Sequence, residues 1–263
     1  MLIIFFLFGL IIGSFLNVVV YRIRTAETIL GRSHCAHCKK MIHWYDNIPL
    51  ISFVLLKFKC RECGERISWQ YPLVEFFTGI AFMLLGGKFF VLTDSATWFF
   101  TFYYLTIVSA LIVILIYDLL YLEIPSIVLW TTVGFAIFCN LLIDFQMANF
   151  NGSILNNLTY SGTLAAFVAF ISFFLLSSLS REKFMGMGDA FLVILIGLVL
   201  GWPKILLGLF LAFAIGAICG IVLVSLKKKK MGSQIPFAPF LAVGAIISML
   251  YYTPIVSWYL KFF

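Results

Sequence analysis

The sequence predicts an all-α polytopic membrane protein with about eight transmembrane helices and a small zinc-stapled cytosolic insertion. Three observations support this prediction. Hydrophobic residues make up 63% of the 263 residues and charged residues only 11%. The apolar residues recur in blocks of about twenty, and two Cys-x2-Cys pairs lie in one polar segment. A water-soluble core cannot take up so much apolar surface, so a soluble globular protein is excluded.

Eight apolar blocks are candidates to cross the hydrocarbon core of about 30 Å as helices. They cover residues 2–20, 73–92, 98–117, 124–145, 159–180, 190–202, 203–226 and 236–260. The first block has no basic leader region and no small-x-small cleavage site, so we expect it to remain as a transmembrane helix. The blocks divide the chain into a first helix at 1–20, a polar loop at 21–72 and a helical domain at 73–263.

The positions of the basic residues predict the orientation. Fifteen of the 18 lysines and arginines fall in loops that the eight spans place on one side of the membrane. They are Arg22, Arg24, Arg32, Lys39, Lys40, Lys57, Lys59, Arg61, Arg66, Arg181, Lys183, Lys227, Lys228, Lys229 and Lys230. Because cytosolic loops carry the excess of positive charge, we expect residues 21–72 in the cytosol and both termini outside. The net charge of +7 then reflects topology, and we expect no nucleic-acid partner.

The polar loop carries four of the six cysteines, as Cys35-Ala-His-Cys38 and Cys60-Arg-Glu-Cys63. Two such pairs at this separation are typical of zinc ribbons, in which four thiolates bind one ion tetrahedrally. About fifty residues seldom build a self-sufficient core, and disulfides rarely persist in the cytosol. We therefore predict a structural Zn²⁺ ion bound by Cys35, Cys38, Cys60 and Cys63.

Other interpretations of the cysteines stay open at this point. The four thiols could be free or could form a redox pair, and His34 or His37 could replace one ligand. Cys139 and Cys219 lie inside apolar blocks, where a cysteine packs as a small apolar side chain.

Two aspartates lie at the borders of apolar blocks. Asp118 directly follows the third block, and Asp189 directly precedes the sixth. Placing a carboxylate at the bilayer centre costs about 2.5–3.5 kcal/mol of insertion free energy, and less near the edge, so an aspartate at such a position is a candidate for a functional role. Two carboxyl groups that share a proton can activate water and protonate a leaving amine, as peptide hydrolysis requires. Gly186 and Gly188 would let a substrate backbone approach Asp189 closely.

Each aspartate also has a purely structural interpretation. Asp189 could be the N-cap of its helix, and Asp118 could mark the point where the third helix leaves the membrane. The sequence offers no Ser/His or His-Glu-x-x-His set as a competing hydrolytic centre.

Six motifs follow one another along almost the whole chain. They are Gly13-Ser14-Phe15-Leu16-Asn17-Val18-Val19 with Arg22, the cysteine pairs around Trp44-Tyr45-Asp46-Asn47-Ile48-Pro49-Leu50, Tyr71-Pro72-Leu73-Val74-Glu75, Asp118 followed by Ile124-Pro125, the Gly-x-Gly-Asp segment at 186–189, and Ile235-Pro236-Phe237-Ala238-Pro239-Phe240-Leu241. In this order they resemble the bifunctional type IV prepilin peptidases of the bacterial inner membrane.

This resemblance implies a function and assigns residues to it. Asp118 and Asp189 would be the catalytic pair that removes the basic leader of a prepilin or pseudopilin, and residues 73–263 the peptidase domain. The family then transfers a methyl group from S-adenosylmethionine to the new N-terminal residue, usually Phe. Arg22 and Glu75 are the candidates to line the methyl-donor site in the loop 21–72. The implied partners are the pilin-type substrates and the lipid bilayer.

The chain also departs from the family pattern. Members commonly carry Gly two residues before the third cysteine, where this chain has Phe58. They often carry Lys two residues after the second aspartate, where Phe191 stands, and an acidic or amide residue in place of Ser126. Three alternatives stay open: a peptidase without methylation, a proton-coupled transporter that relays protons through the two aspartates, and a membrane adaptor that docks a partner on the zinc loop.

Overall fold

A computed structural model of the chain describes residues 1–92, 94–147, 157–181, 185–227 and 235–261. The described residues form nine α-helices and one short 3-10 helix, Trp44–Asn47, with no β-strand beyond two isolated bridges. The helices are α1 (Leu2–Thr25), α2 (Ile51–Leu55), α3 (Gln70–Phe89), α4 (Ser95–Tyr121), α5 (Ser126–Met147), α6 (Leu158–Leu179), α7 (Met187–Leu200), α8 (Lys204–Ser225) and α9 (Ala238–Leu260). Lys183 and the lysines at 228–230, used above for orientation, lie outside the described residues.

The prediction of a helical membrane protein with about eight spans is confirmed. Seven helices are long and apolar enough to cross a bilayer: α1, α3, α4, α5, α6, α8 and α9. The eighth, α7, is apolar but has only 14 residues, which makes it about 21 Å long. The chain is therefore a multi-pass membrane protein.

The observed helix ends differ from the predicted ones where polar residues continue a helix. α1 runs on to Thr25 and takes in Arg22 and Arg24, whose charges are favourable near a helix C-terminus. α4 continues through Asp118 to Tyr121, so this aspartate lies inside the helix and not beyond it. Hydropathy could not mark these ends, because charged residues interrupt the apolar block while the backbone continues as a helix. The division at 20 and 72 stays a prediction.

The chain separates into two compact units, residues 1–113 and 114–263, and the boundary falls within α4. In the first unit, α1 packs against α3. Small residues bring the two backbones into contact: a Cβ atom added at Gly9 would lie 2.8 Å from the Gly79 Cα, and one added at Gly13 would lie 2.7 Å from the Glu75 Cα. Close backbone approach at small residues is a common way to pair helices in membranes.

In the second unit, α7 lies among α5, α6, α8 and α9. Ten of its 14 residues are buried, from Asp189 to Leu200. A Cβ atom added at Gly197 would lie 2.4 Å from the Ala166 Cα of α6, so these two helices touch through their backbones. Asn140 of α5 donates a hydrogen bond of 2.9 Å to the carbonyl of Leu198, near the C-terminal end of α7. This packing fixes the position of Asp189 at the other end of α7.

Candidate functional site

The four cysteines of the loop form one cluster. The Sγ atoms of Cys35, Cys38, Cys60 and Cys63 all lie within 4.8 Å of one another, and those of Cys35 and Cys63 are 3.9 Å apart. A tetrahedral zinc ion with Zn–S bonds of about 2.3 Å would place its sulfurs about 3.8 Å apart. The donor set therefore fits Zn²⁺, and it needs neither His34 nor His37 as a ligand.

Both cysteine pairs adopt the same turn. In the first, the N–H of Lys39 donates to the Cys35 carbonyl at 3.0 Å, and the N–H of Cys35 donates to the Lys40 carbonyl at 2.9 Å. In the second, Gly64 donates to Cys60 at 3.0 Å and Cys60 donates to Glu65 at 2.8 Å. The residue after each second cysteine has a positive φ, 58° at Lys39 and 71° at Gly64. This repeated turn directs both sulfurs of a pair to the same side, as zinc ligation requires.

The electrostatics of the cluster favour a bound cation. The Glu65 backbone N–H lowers the pKa of the Cys63 thiol, but desolvation and the three neighbouring sulfurs outweigh it and raise that pKa to about 11. A dication would remove this mutual repulsion between thiolates. Lys40 of the first turn donates to Glu62 of the second at 2.7 Å and so ties the two turns together.

Arg22 holds the start of the loop. This side chain is buried, and its guanidinium donates hydrogen bonds to the four carbonyls of Thr28, Ile29, Gly31 and Arg32. A single planar donor thereby fixes the chain that leads from α1 to the first cysteine.

A cavity of about 360 Å³ lies between the loop, α1 and the start of α3. This volume is in the range of small-molecule sites. Its wall includes Asn17 and Arg22 of α1, Cys35 and Cys60 of the cluster, and Glu75 of α3. The structure thus places both residues predicted for the methyl-donor site on one cavity, next to the cysteines. The Arg22 guanidinium lines the cavity and donates its hydrogen bonds to carbonyls of the loop. The Glu75 carboxylate lines the same cavity, and no described cation neutralises it.

Phe58 stands where the family resemblance implies Gly, and its backbone has a φ of 65°. That left-handed conformation suits Gly and costs about 1–2 kcal/mol for another residue. Here the Phe58 ring packs on Phe53 and Trp69, with centroid distances of 4.8 and 5.5 Å. The aromatic contacts offset the backbone strain. Phe58 is absent from the cavity wall.

The two aspartates lie in the second unit and are both buried, with exposures of 6% at Asp118 and 8% at Asp189. Their carboxylates interact electrostatically. Asp118 accepts a hydrogen bond from the backbone N–H of Ala238, at the start of α9. Its Oδ2 atom is buried and has no hydrogen-bond partner among the described residues. A buried carboxylate oxygen without a partner carries a desolvation cost, which is common at catalytic sites and rare elsewhere.

Asp189 is the third residue of α7 and accepts a hydrogen bond from the backbone N–H of Gly186. The N-cap position belongs to Gly186, so Asp189 stabilises the helix start from inside the first turn. Each aspartate thus receives an N–H from the N-terminus of a helix, where a negative charge is favoured.

The two glycines predicted to admit substrate differ in their surroundings. Gly186 is exposed, and a Cβ atom added there would meet only the Asp189 carboxylate, 3.8 Å away. A Cβ atom added at Gly188 would meet the Ile124 side chain at 3.2 Å. Phe191, two residues after Asp189, packs between Trp130 and Phe170 with centroid distances of 5.7 and 5.9 Å.

The sequence reasoning missed two contributors to these sites. Ala238 contributes only a backbone N–H, and its one signal was its place in the Ile235–Leu241 motif. Leu50, with a φ of 61°, donates its N–H to Glu75 at 2.8 Å and closes the loop over the cavity. Backbone donors have no residue signature, so only the fold reveals them.

Comparisons with known proteins cover nearly the whole chain. Residues 7–89 match the family described as "Bacterial Peptidase A24 N-terminal domain", and residues 105–221 match the "Type IV leader peptidase family". The chain is 31% identical to the Bacillus subtilis (strain 168) "Prepilin leader peptidase/N-methyltransferase", covering 99% of this chain and 98% of that protein. It is 33% identical to the "Type 4 prepilin-like proteins leader peptide-processing enzyme" of Escherichia coli O78:H11 (strain H10407 / ETEC), covering 92% and 90%. No solved structure matches the chain.

Proposed function

Because this chain belongs to the type IV leader peptidase family, we propose that it cleaves the basic leader of type IV prepilins or pseudopilins and then N-methylates the new N-terminal residue. The observation that carries the peptidase assignment is the pair of buried, interacting carboxylates Asp118 and Asp189, with Asp118 Oδ2 unpartnered among the described residues. The cavity beside the cysteine cluster supports the methyl-transfer assignment.

Asp118 and Asp189 hydrolyse the leader peptide bond as a pair that shares one proton. The ionised carboxyl takes a proton from water as the oxygen attacks the scissile carbonyl carbon. The protonated carboxyl first hydrogen-bonds the carbonyl oxygen, and a proton then goes to the departing amine nitrogen as the C–N bond breaks. The backbone N–H groups of Ala238 and Gly186 donate hydrogen bonds to Asp118 and Asp189 and hold the two carboxyls in place during these steps.

The substrate backbone approaches the pair at the Gly-x-Gly-Asp segment. Gly186 leaves open space beside the Asp189 carboxylate, which a side chain there would narrow. Gly188 has no Cβ atom, so Ile124 can pack closely against its backbone at the start of α7. We assign both glycines to substrate binding on these grounds.

Methyl transfer takes place in the cavity of the first unit. S-adenosylmethionine would supply the methyl group when bound in this cavity. Arg22 holds the loop wall of the cavity, and Glu75 lines the cavity with its side chain. The four cysteines would bind a structural Zn²⁺ ion that keeps the loop folded around the cavity.

The chain resides in the bacterial inner membrane with the cysteine loop in the cytosol. The excess of basic residues on that side supports this orientation. It presents the methyl-donor cavity to the compartment that supplies the donor, and it suits a leader that stays in the cytosol while the pilin helix enters the bilayer.

The test is leader cleavage by the purified protein. The wild-type chain in detergent should convert a model prepilin into a shorter product. Mass spectrometry of that product should show the loss of the leader at a single peptide bond and the added mass of one methyl group. A product of the right length without the methyl group would leave a peptidase only. An uncut substrate would leave the transporter and adaptor alternatives.

A further inference from the structure

The Glu75 carboxylate stands out among the charged groups of the first unit. It lies on the second turn of α3, is 93% buried, and faces the cavity. It accepts hydrogen bonds from the Leu50 N–H and the Ser14 side chain. A carboxylate offers about four lone-pair sites, so these two contacts leave acceptor capacity directed at the cavity.

No described cation neutralises Glu75, although two other carboxylates of the cavity wall, Asp46 and Glu62, have cationic partners. Asp46 receives two hydrogen bonds from Arg61, at 2.7 and 2.8 Å, and Glu62 receives one from Lys40. The Arg22 guanidinium is engaged by backbone carbonyls. A buried carboxylate without a counter-charge is costly, and a cationic ligand would relieve that cost.

We propose that Glu75 binds the α-ammonium group of the newly exposed N-terminal residue and takes its proton before methyl transfer. This inference rests on the proposed methyltransferase function and adds a chemical role to it. The N–H bond breaks and its proton passes to the carboxylate, which leaves a neutral amine with a lone pair. That nitrogen forms a bond to the methyl carbon as the carbon–sulfur bond breaks, and the sulfonium becomes a neutral thioether.

A proton acceptor is required because an ammonium group has no lone pair with which to attack. The free α-amino group has a pKa of about 7.7–8.0, so most of it is protonated at neutral pH. Within the described part of the cavity, Glu75 is the carboxylate that combines burial with the lack of a cationic partner. A buried carboxylate without a cationic partner is suited to bind the positively charged amine terminus of a peptide.

A competing structural role for Glu75 is to hold Leu50 in its left-handed conformation through the 2.8 Å hydrogen bond. The variant Glu75→Gln separates the two roles, since its amide oxygen still accepts the Leu50 N–H while the charge and the proton affinity are lost. Glu27→Gln is the matched control, because Glu27 is a carboxylate of the same loop that pairs with Lys39 and does not line the cavity.

The experiment uses the full-length protein in detergent and a synthetic peptide that begins with phenylalanine, so that methyl transfer is measured apart from leader cleavage. We expect Glu75→Gln to lower the methylation rate by at least about a hundredfold, the usual contribution of a general base. Its residual rate should rise as the pH passes through about 8 and level off above that, because the free amine deprotonates by itself. Glu27→Gln should stay within about twofold of wild type.

Binding provides a readout besides the reaction. Wild-type protein should bind the peptide with a free amine more tightly than its N-acetylated form, and Glu75→Gln should lose that preference while it binds S-adenosylmethionine as wild type does. Methylation by Glu75→Gln near the wild-type rate would limit Glu75 to its structural role and overturn the proposal. Lost donor affinity in that variant would make Glu75 a donor ligand and also overturn it. Should wild type cleave prepilin but never methylate, the methyltransferase function itself fails.

Discussion

The two units of this protein hold their polar groups in place by different means. In residues 26–69 of the first unit, only Ser52 and Phe53 are buried, and the loop is held by clustered thiols, ion pairs and the Arg22 hydrogen bonds. In the second unit, Asp189 sits on a helix with ten buried residues, and both aspartates are fixed by backbone N–H groups of helix N-termini. A segment without a core needs cross-links, whereas helices packed in a membrane can position a charge with the backbone alone.

The contrast implies that each unit should fail in its own way. Damage to the thiol cluster should abolish methyl transfer and spare leader cleavage, and damage to the helix ends should do the reverse. The predictions that follow test this separation, from the largest expected effect to the smallest.

Asp118→Asn and Asp189→Asn should have the largest effect. Each change removes the shared proton and one acid–base partner, so leader cleavage should fall by between about 10² and 10⁴-fold. Methylation of a pre-cleaved peptide should not change. Cleavage rates on a model prepilin measure the first effect, with Glu123→Gln as a control because that carboxylate is exposed close to Asp118 in sequence. Near-normal turnover in either variant would remove the catalytic pair.

Cys60→Ser should abolish zinc binding and methyl transfer together. Metal analysis should find about one zinc ion per wild-type chain and almost none in the variant, because structural zinc in a small segment supplies its folding energy. Leader cleavage should persist. Cys219→Ser, in α8 of the second unit, should keep both zinc and methylation. A zinc-free wild-type protein with full methylation would contradict the prediction.

Gly197→Ala should destabilise the second unit by about 1–3 kcal/mol, because its Cβ would lie 2.4 Å from the Ala166 Cα and force α6 and α7 apart. Thermal unfolding should show the loss, while zinc content stays at the wild-type level. Gly134→Ala is the matched control, since a Cβ there meets no atom within 4 Å and should be neutral or slightly stabilising. Equal melting temperatures for the two variants would show that the backbones of α6 and α7 are not in contact at Gly197 and Ala166.

Arg61→Gln should have the smallest effect and should depend on pH. Arg61 lowers the pKa of Asp46, so the pair stabilises the loop above the unfolded Asp pKa of about 3.9 and loses that contribution as pH falls through the lower folded pKa. Methylation at neutral pH should stay within about twofold of wild type, because the pair is largely solvent-exposed at Arg61. The difference in melting temperature between variant and wild type should shrink in acid; a constant difference would argue against the ion pair.

Local sequence patterns predicted what depends on local spacing. The four cysteines come together because each Cys-x2-Cys pair forms its own turn, and the helices follow from apolar blocks long enough to span the bilayer. The two aspartates were found as charges at the ends of such blocks, and the structure brings them close enough to interact.

What depends on distant parts of the chain could not be predicted. The contact between the Ala238 N–H and Asp118 joins residues 120 positions apart through a backbone atom that any residue but proline supplies. Likewise, a positive φ at position 58 suits the Gly that the family resemblance implies there, but only the contacts with Phe53 and Trp69 explain how Phe58 is accommodated.

The shortness of α7 has a consequence for the lipid around the second unit. At about 21 Å, α7 falls about 9 Å short of an average hydrocarbon core, while its neighbours in the second unit have 22 residues or more. Because α7 is buried among longer helices, the lipid meets those helices, and a thinner bilayer reduces the depth at which the ends of α7 lie below the headgroup region. Acyl-chain length should therefore tune leader removal, with faster turnover in vesicles of short-chain lipids than in those of long-chain lipids.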